Sequence, residues 1–300
     1  MSKVIGIDIG GTNIKAALFD AESGACLNRQ TTLTRDGEKA RDMPAWADGV
    51  RLLVAGFEDV CGEHDLPVGI SAPGLAKQDG SCIYRMPGRM AGIESFMWEE
   101  FLQRKAVVLN DAHAALLGEV WQGAAKGGSN VLLLTLGTGV GGAALCDGRL
   151  ITGHIGRAGH FGHISLDPLG KPSIAGTPGA LEEAIGNATI QARSEGKFTS
   201  TQALLDAVRE GHQHAIEIWQ RSVRALAAGM TSLINCFDPE TFILGGGIAA
   251  GAGDDLLRPL TGLLDEMEWR PAGGRVNVVL AALGEWAGTY GAAWRVRDAS

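Results

Sequence analysis

Asp8-Ile9-Gly10-Gly11-Thr12-Asn13 and Leu136-Gly137-Thr138-Gly139-Val140-Gly141-Gly142 are two glycine-rich turns, each of which follows an apolar run and leads into another. Glycines without side chains let backbone N–H groups close around an anion, and each threonine adds a hydroxyl donor. Two such turns can hold one polyphosphate from opposite sides. The sequence therefore predicts a nucleotide bound between two lobes.

The segments on either side of each turn predict pairs of strands. Val4–Ile7 and Ile14–Phe19 flank the first turn, and Leu132–Leu134 and Ala143–Leu145 flank the second. Neither turn has the spacing of a P-loop or of the Gly-x-Gly-x-x-Gly motif that opens a helix in a dinucleotide-binding unit. The repeat of strand, glycine turn and strand instead predicts an α/β protein with a duplicated domain.

Composition points to an enzyme of small-molecule chemistry. The chain has 300 residues, of which 45% are hydrophobic and 20% charged, so it can bury a substantial core. Its net charge is −8 and its pI is about 5.4, without a cluster of Lys and Arg. This balance argues against a nucleic acid partner.

Targeting and redox signals indicate a cytoplasmic protein. The first strand begins by Val4, which leaves no room for a signal peptide, and no apolar stretch is long enough to span a membrane. The five cysteines are scattered and form no Cys-x-x-Cys pair. We therefore expect neither a disulfide framework nor a thiolate zinc site.

Periodicity and turn residues outline the remaining elements. Three strands are expected up to residue 33, followed by a loop over 34–43. The apolar stripe between Ile216 and Ile234 predicts a helix of about six turns. The other predicted elements are a helix from Pro44 through Phe57, strands at Val68–Ala72, Ala106–Leu109 and Thr241–Leu244, and helices at Asp111–Trp121 and Trp286–Arg297.

Three glycines follow the strand that ends at Leu244. Gly245, Gly246 and Gly247 would let a flat group lie against the backbone, which favours an adenine or ribose site. A flexible turn between a strand and a helix is the alternative interpretation.

Two aspartates are candidates for the chemistry. Asp8 ends a buried strand beside the first glycine turn, where it can hold Mg²⁺ with its waters next to a triphosphate. Asp111 lies where a strand ends and a helix begins, a position that faces the ligand in open α/β sheets. Asp111 is thus a candidate general base, although an aspartate at a helix N-terminus is also a common cap.

This combination of motifs resembles the ROK family of sugar kinases and related repressors, in the actin-like ATPase superfamily. Asp8 to Lys15 is similar to the family's first phosphate motif, and Leu136 to Gly142 to its second. Leu244-Gly245-Gly246-Gly247 matches the glycines of the nucleotide site, and Asn110-Asp111 matches the pair that binds sugar and supplies the base. The resemblance extends from residue 4 to about residue 295.

The resemblance implies a reaction and a set of ligands. Asp111 would take the proton from a sugar hydroxyl, which then attacks the γ-phosphorus of Mg²⁺-bound ATP. A free hexose such as glucose, phosphorylated at O6, is the expected substrate. The implied sugar-binding residues are Gly74, Asn110, Asp111, His160, His163 and Glu182; the implied nucleotide-binding residues are Asp8, Gly10, Gly11, Thr12, Asn13, Lys15, Gly137, Thr138, Gly139, Gly245, Gly246 and Gly247.

The chain departs from the family where many members bind structural zinc. Those members follow a histidine, equivalent to His163, with three cysteines, whereas this chain has Ser173, Ala175 and Ala180 at the same spacing. A lone histidine cannot replace a thiolate cage. We therefore expect no structural zinc.

Two further departures concern the sugar. His160 stands where the family usually has a glutamate, so a group that only accepts hydrogen bonds becomes a potential donor. Met86-Pro87-Gly88-Arg89 lies where many members carry a sugar-binding Pro-Asn. A metal site formed by His154, His160 and His163 is a weaker interpretation, because spacings of six and three match no compact ligand pattern.

The sequence thus predicts a two-lobed α/β protein with the actin-like ATPase (ribonuclease H-like) fold and an interlobe cleft. Residues 1–112 would form the N-terminal lobe, with 286–300 packing back on it, and residues 113–285 the C-terminal lobe. The expected protein is a homodimeric sugar kinase that uses ATP. The alternatives are a catalytically inactive sugar-binding regulator and a kinase that uses polyphosphate; a repressor is disfavoured because no helix-turn-helix domain precedes the first motif.

Overall fold

A computed structural model describes residues 2–298 as alternating strands and helices. The strands are β1 Lys3–Ile9, β2 Asn13–Asp20, β3 Cys26–Leu33, β4 Lys39–Ala40, β5 Met43–Pro44, β6 Val68–Ala72, β7 Leu75–Ala76, β8 Ile83–Arg85, β9 Ala106–Asn110, β10 Val131–Leu136, β11 Val140–Cys146, β12 Arg149–Leu150, β13 Thr241–Gly245 and β14 Asn277–Leu280. The helices are α1 Ala45–Cys61, α2 Trp98–Leu102, α3 Asp111–Gln122, α4 Leu181–Ile185, α5 Ile190–Arg193, α6 Thr201–Arg209, α7 Gln213–Phe237, α8 Gly246–Ala252, α9 Asp254–Met267 and α10 Ala287–Asp298. Short 3₁₀ turns lie at Phe161–His163, Asn187–Thr189, Pro271–Gly273 and Gly284–Trp286.

The described chain forms two compact units. The first comprises residues up to Gly127, Thr152–Arg157 and the segment from Glu285, and the second comprises Gly128–Ile151 and Ala158–Gly284. The first unit runs past residue 112 because α3 packs along α10. The predicted lobe boundary at residue 112 lies near the start of α3 and stays a prediction.

Each unit is built on a five-stranded sheet of the same topology. The order is β3-β2-β1-β6-β9 in the first unit and β12-β11-β10-β13-β14 in the second. In both sheets the first hairpin is antiparallel, and its inner strand pairs in parallel with the next strand along the sheet. The duplication predicted from the two glycine turns is present, because each turn joins the two strands of the equivalent hairpin.

The first sheet is covered by α1 and by the pair formed from α3 and α10. Ile5 and Ile7 pack in one apolar cluster with Trp46 of α1. Gly6 lies between them in β1 and faces the other side of the sheet, because side chains alternate along a strand. A Cβ at Gly6 would overlap the carbonyl oxygen of Thr289 in α10, so glycine permits the close approach of this helix.

The second sheet packs against the long helix α7. Leu132, Leu134 and Phe242 of the sheet share a buried cluster with Val223 and Met230 of α7. The helix spans 25 residues, as its apolar stripe predicted, and Met230 is completely buried. Within residues 2–298, no helix combines the length and hydropathy needed to cross a membrane.

Several elements were not expected from the sequence, including the two-residue strands β4 and β5, since a loop was predicted over 34–43. Helices α6 and α9 and the edge strand β14 lie in stretches without a predicted element. Pro259 lies inside α9, where a proline normally disfavours helix, and the three buried leucines of this helix compensate by packing in the core.

Candidate active site

The first glycine turn presents two backbone donors. Gly10 N–H donates to the Asn13 carbonyl at 2.9 Å, which closes the turn between β1 and β2. Thr34 holds it from behind: its N–H donates to Thr12 O at 2.9 Å and its hydroxyl to Gly10 O at 2.6 Å. Within the described chain, the N–H groups of Gly11 and Thr12 have no backbone acceptor, and both residues are exposed. These are the donors that an anion requires.

Asp8 lies beside this turn as a half-buried carboxylate. Ser71 Oγ donates to its Oδ1 at 2.6 Å, and a Cβ on Gly288 would lie 2.6 Å from the same oxygen. Desolvation raises the pKa of Asp8 to about 6; the nearby charge of Asp111 adds to the shift, while Ser71 and Lys15 oppose it. A carboxylate that its surroundings leave short of positive charge has the chemistry of a Mg²⁺ ligand.

Lys15, predicted to contact nucleotide, has a partner of its own. Its Nζ lies 2.9 Å from a carboxylate oxygen of Glu285, and it also donates to the Glu285 backbone carbonyl at 3.3 Å. The Glu285 side chain is 67% exposed, so this ion pair is weak and exchangeable.

The sequence left two roles open for Asp111, general base and helix cap, and the structure gives the cap to its neighbour Asn110. Asn110 is the N-cap of α3, because its Oδ1 accepts from the N–H groups of Ala112 and His113 at 3.0 and 3.3 Å. Its Nδ2 donates to Gly74 O at 2.9 Å, which fixes the turn after β6. Asp111 is the first residue of α3 and is exposed. Asn110 is therefore the N-cap of α3, while one oxygen of the exposed Asp111 carboxylate accepts from the Ala112 N–H at 2.8 Å.

The second glycine turn is formed in the same way but is braced differently. Gly137 N–H donates to Gly139 O at 3.0 Å. The carbonyls of Gly137 and Thr138 accept from the N–H groups of Asn187 and Ala188, both at 2.9 Å, just after α4. Among the described residues, the N–H groups of Thr138 and Gly139 have no backbone acceptor. This turn also offers two consecutive donors, held by backbone rather than by side chains.

A cavity of about 340 Å³ adjoins this turn within the second unit. Its lining includes residues of both glycine motifs of the unit and polar residues that the sequence analysis did not identify. The lining residues are Gly137, Thr138, Asn187, Ser200, Thr201, Gln202, Leu205, Gly247 and Ile248. The Thr201 hydroxyl is buried and makes no hydrogen bond within residues 2–298. It is an unsatisfied donor and acceptor that a ligand would satisfy.

The three glycines at the end of β13 and the start of α8 have different surroundings. Gly246 adopts a φ of +84°, and a Cβ there would lie 2.7 Å from Leu136 N, so this residue permits close packing on the strand that enters the second turn. Gly247 has open space around its Cβ position and lines the cavity, while Gly245 is buried at the end of β13. The flexible-turn interpretation therefore explains Gly246, and the ligand interpretation is consistent with Gly247.

His163 and Glu182 come together in the second unit. His163 Nδ1 lies 3.1 Å from Glu182 Oε1, close enough for an ion pair when the imidazole is protonated. The contact lacks hydrogen-bond geometry, so both buried atoms are left without a hydrogen bond among the described residues. His160 stacks nearby, with its ring centroid 6.3 Å from that of His163. The other oxygen, Oε2, lies 2.8 Å from the Cβ position of Gly139, which connects this pair to the second turn.

The segment at the family's thiolate positions keeps its course through hydrogen bonds. Ser173 N–H donates to Thr177 O and Gly176 N–H to Ser173 O, both at 2.8 Å. Ser165 Oγ donates to Pro178 O at 2.6 Å. Within residues 2–298, no group of three His, Cys, Asp or Glu side chains is arranged to hold a metal ion. These hydrogen bonds fix the course of the loop, and the expectation that it binds no structural zinc stays a prediction.

Comparisons with known proteins agree with this architecture. Glucokinase from Thermotoga maritima is 33% identical over 99% of this chain and 98% of its own. A ROK hexokinase from Thermus thermophilus superposes with a TM-score of 0.86 at 28% identity, covering 99% of both chains. A ROK family glucokinase from Streptomyces griseus, solved with glucose and AMPPNP, superposes with a TM-score of 0.77 at 28% identity, covering 99% of this chain and 100% of its own.

The family assignment covers almost the whole sequence. The model of the ROK family matches residues 4–299. The two sheets and their shared strand order agree with the two-lobed actin-like ATPase fold of ROK glucokinases. The chain belongs to the ROK family.

Proposed function

We propose that this ATP-dependent sugar kinase transfers the γ-phosphate of ATP to O6 of glucose or a closely related hexose. The observation that carries the proposal is the position of Asp111: an exposed carboxylate at the end of β9, in the unit that holds the Gly10–Thr12 turn and Asp8, with the helix cap supplied by Asn110. Full-length similarity to glucokinases supports the substrate class.

In the proposed reaction, Asp111 accepts the proton of the sugar hydroxyl as its oxygen attacks the γ-phosphorus. A new bond forms between that oxygen and phosphorus, the bond from phosphorus to the bridging oxygen breaks, and ADP leaves with the electron pair. Such transfers depend mainly on alignment and on neutralisation of charge. A base that is exposed at the end of a buried strand and fixed by a helix suits this role.

The two glycine turns provide the phosphate contacts in this proposal. Each turn offers two N–H groups to phosphate oxygens within its own unit: those of Gly11 and Thr12, and those of Thr138 and Gly139. Mg²⁺, held by Asp8 through water, would neutralise phosphate charge. The cavity lined by Thr201 and Gly247 would receive the nucleoside, with the Thr201 hydroxyl as a hydrogen-bonding partner.

Several of the predicted sugar-binding residues offer polar groups that suit sugar hydroxyls. His163 and Glu182 offer one buried donor or acceptor each, and His160 lies beside them. Asn110 keeps one N–H of its amide beyond the bond to Gly74 O, so it retains a limited capacity for a sugar oxygen. The histidine at position 160 favours hydroxyls that accept a hydrogen bond.

We also propose that the protein is a homodimer in solution. The monomer mass is 31.3 kDa. Light scattering coupled to size exclusion should give a mass near twice that value, and a monomeric mass at micromolar concentration would contradict the assignment.

Sugar-dependent ADP release tests the function directly. Purified protein would be incubated with ATP, Mg²⁺ and a panel of hexoses, amino sugars and sugar acids, and the product position assigned by phosphorus-coupled NMR. We expect turnover with glucose or a related hexose and phosphate on O6. Sugar binding without ADP release would identify a sensor instead, and transfer from polyphosphate but not from ATP would change the donor.

A further inference from the structure

Arg89 lies beside the first glycine turn. Its Nη1 is 4.0 Å from the Cβ position of Gly11, in the same unit. Among the residues that the structure describes, the guanidinium makes neither a hydrogen bond nor an ion pair. It is an exposed cation next to the two free N–H groups of Gly11 and Thr12.

The two residues that follow Arg89 are held in place by hydrogen bonds and by packing. The N–H groups of Met90 and Ala91 donate to the carboxylate of Asp36 at 2.8 and 3.2 Å. The Met90 side chain is 1% exposed in the apolar core, and Trp46 Nε1 donates to Ala91 O at 3.2 Å. Because the following residues are anchored, the Arg89 side chain projects from a fixed turn.

The surroundings of this guanidinium indicate an oxyanion ligand. Arginine presents planar donors that match phosphate geometry, and backbone N–H groups next to it add to the same field. A transferring phosphoryl group carries charge on three equatorial oxygens, which a guanidinium stabilises. In the proposed function the Gly10–Thr12 turn binds phosphate. The Arg89 guanidinium lies beside this turn, so it can contact a phosphate bound there.

We propose that Arg89 is a catalytic residue that contacts the transferring phosphoryl group at the Gly10–Thr12 turn. This inference rests on the proposed kinase function. In the nucleotide the contact is to the terminal phosphate, and after transfer it is to the phosphate of the sugar product. Arg89 therefore distinguishes phosphorylated from unphosphorylated ligands and leaves the sugar ring itself to other residues.

The test compares Arg89→Gln and Arg89→Lys with Arg85→Gln, a matched change of an exposed arginine on β8. We expect Arg89→Gln to lower kcat at least about tenfold, with KM for glucose within about twofold of wild type. Arg89→Lys should recover part of the loss because it keeps the charge. Arg85→Gln should behave as wild type.

Calorimetric titrations provide a readout independent of turnover. Arg89→Gln should weaken binding of AMPPNP and of glucose 6-phosphate at least about fivefold, while binding of ADP and of glucose is unchanged. If Arg89→Gln weakened the binding of glucose and of glucose 6-phosphate equally, the proposal would be overturned. A wild-type kcat in this variant would overturn it too, as would a loss of activity seen only with sugar acids as substrates. If wild type releases no ADP with any sugar, the kinase assignment fails, while the difference between AMPPNP and ADP still tests Arg89.

Discussion

The two glycine turns occupy equivalent hairpins of the same sheet topology, yet they are surrounded by different chemistry. The turn at Gly10–Thr12 has charged groups around it: Asp8, Lys15, Asp111 and Arg89 belong to its unit. The turn at Gly137–Gly139 is braced by backbone N–H groups after α4, has the Glu182 carboxylate beside it, and adjoins a cavity lined mostly by small and polar residues.

This difference indicates how a duplicated scaffold becomes specialised. Within residues 2–298, both copies leave two turn N–H groups without a backbone acceptor, and the proposed function assigns both pairs to phosphate. The first copy adds the ionisable groups that proton transfer and charge neutralisation require. The second copy adds a shaped cavity, whose glycines and hydroxyls suit a neutral nucleoside. In the proposed function, mutations around the first turn should therefore change turnover, and mutations in the cavity of the second unit should change nucleotide affinity, while His163 and Glu182 act on sugar binding.

The largest effect is expected from Asp111→Asn. Removing the base should lower kcat by at least about a hundredfold, while calorimetric affinity for sugar stays within a few-fold. The melting temperature should change little, because Asn110 caps α3. Asn110→Ala is the matched control for capping and should cost about 1 kcal/mol of stability. Near-normal turnover of Asp111→Asn would remove this residue from the mechanism.

Asp8→Asn should lower turnover while stabilising the metal-free protein. The pKa of Asp8 is raised from 3.8 to about 6, so the folded state holds its proton more tightly than the unfolded state. Stability from this group is full below about pH 4 and falls as the pH rises through 6. At neutral pH the neutral amide, which still accepts from Ser71, should add on the order of 1–2 kcal/mol after allowance for partial exposure.

Thermal melts of Asp8→Asn and of wild type at neutral pH, with and without Mg²⁺ and nucleotide, measure the gain in stability and the loss of metal binding. The variant should melt a few degrees higher than wild type in chelator and gain less from Mg²⁺-nucleotide. A lower melting temperature in chelator would mean that the carboxylate stabilises the fold, contrary to the stated cause of its pKa shift.

Sequence reasoning recovered the parts of the molecule that depend on local pattern. The two hairpins follow from apolar runs around glycine turns, and α7 follows from its periodic stripe. The fold and the sugar kinase class agree with the full-length relatives. The roles of individual site residues stay predictions.

The groups that sequence analysis missed act through long-range contacts. Thr34 was assigned to a loop, but its two hydrogen bonds hold the first turn from a distance of more than twenty residues. Ser71 of β6 and Gly288 of α10 contact Asp8, and Thr201 of α6 lines the cavity of the second unit. No local motif marks a serine or threonine for such a contact. Asn and Asp both favour the N-cap position. The sequence alone therefore did not show that Asn110, and not Asp111, is the N-cap of α3.

Gly246→Ala should reduce stability more than Gly247→Ala, its neighbour and matched control. Alanine at position 246 would combine a φ of +84° with a Cβ 2.7 Å from Leu136 N, whereas the Cβ position of Gly247 is open. We expect a loss of about 1–3 kcal/mol for Gly246→Ala in chemical denaturation and an increased KM for ATP. Equal stability of the two variants would mean that Gly246 does not brace the second turn.

The smallest effect, and the sharpest for the second unit, is expected from Thr201→Val. Valine has nearly the shape of threonine but lacks the hydroxyl, which is buried and makes no hydrogen bond within residues 2–298. The variant should therefore be as stable as wild type or slightly more so, since an unsatisfied polar group is removed. If the hydroxyl binds the nucleoside, KM for ATP should rise about three- to tenfold with kcat unchanged, because one hydrogen bond to a ligand is lost equally in ground and transition states. A fall in kcat at saturating ATP would instead give this cavity a share in the chemistry, and the division of function between the two units would no longer hold.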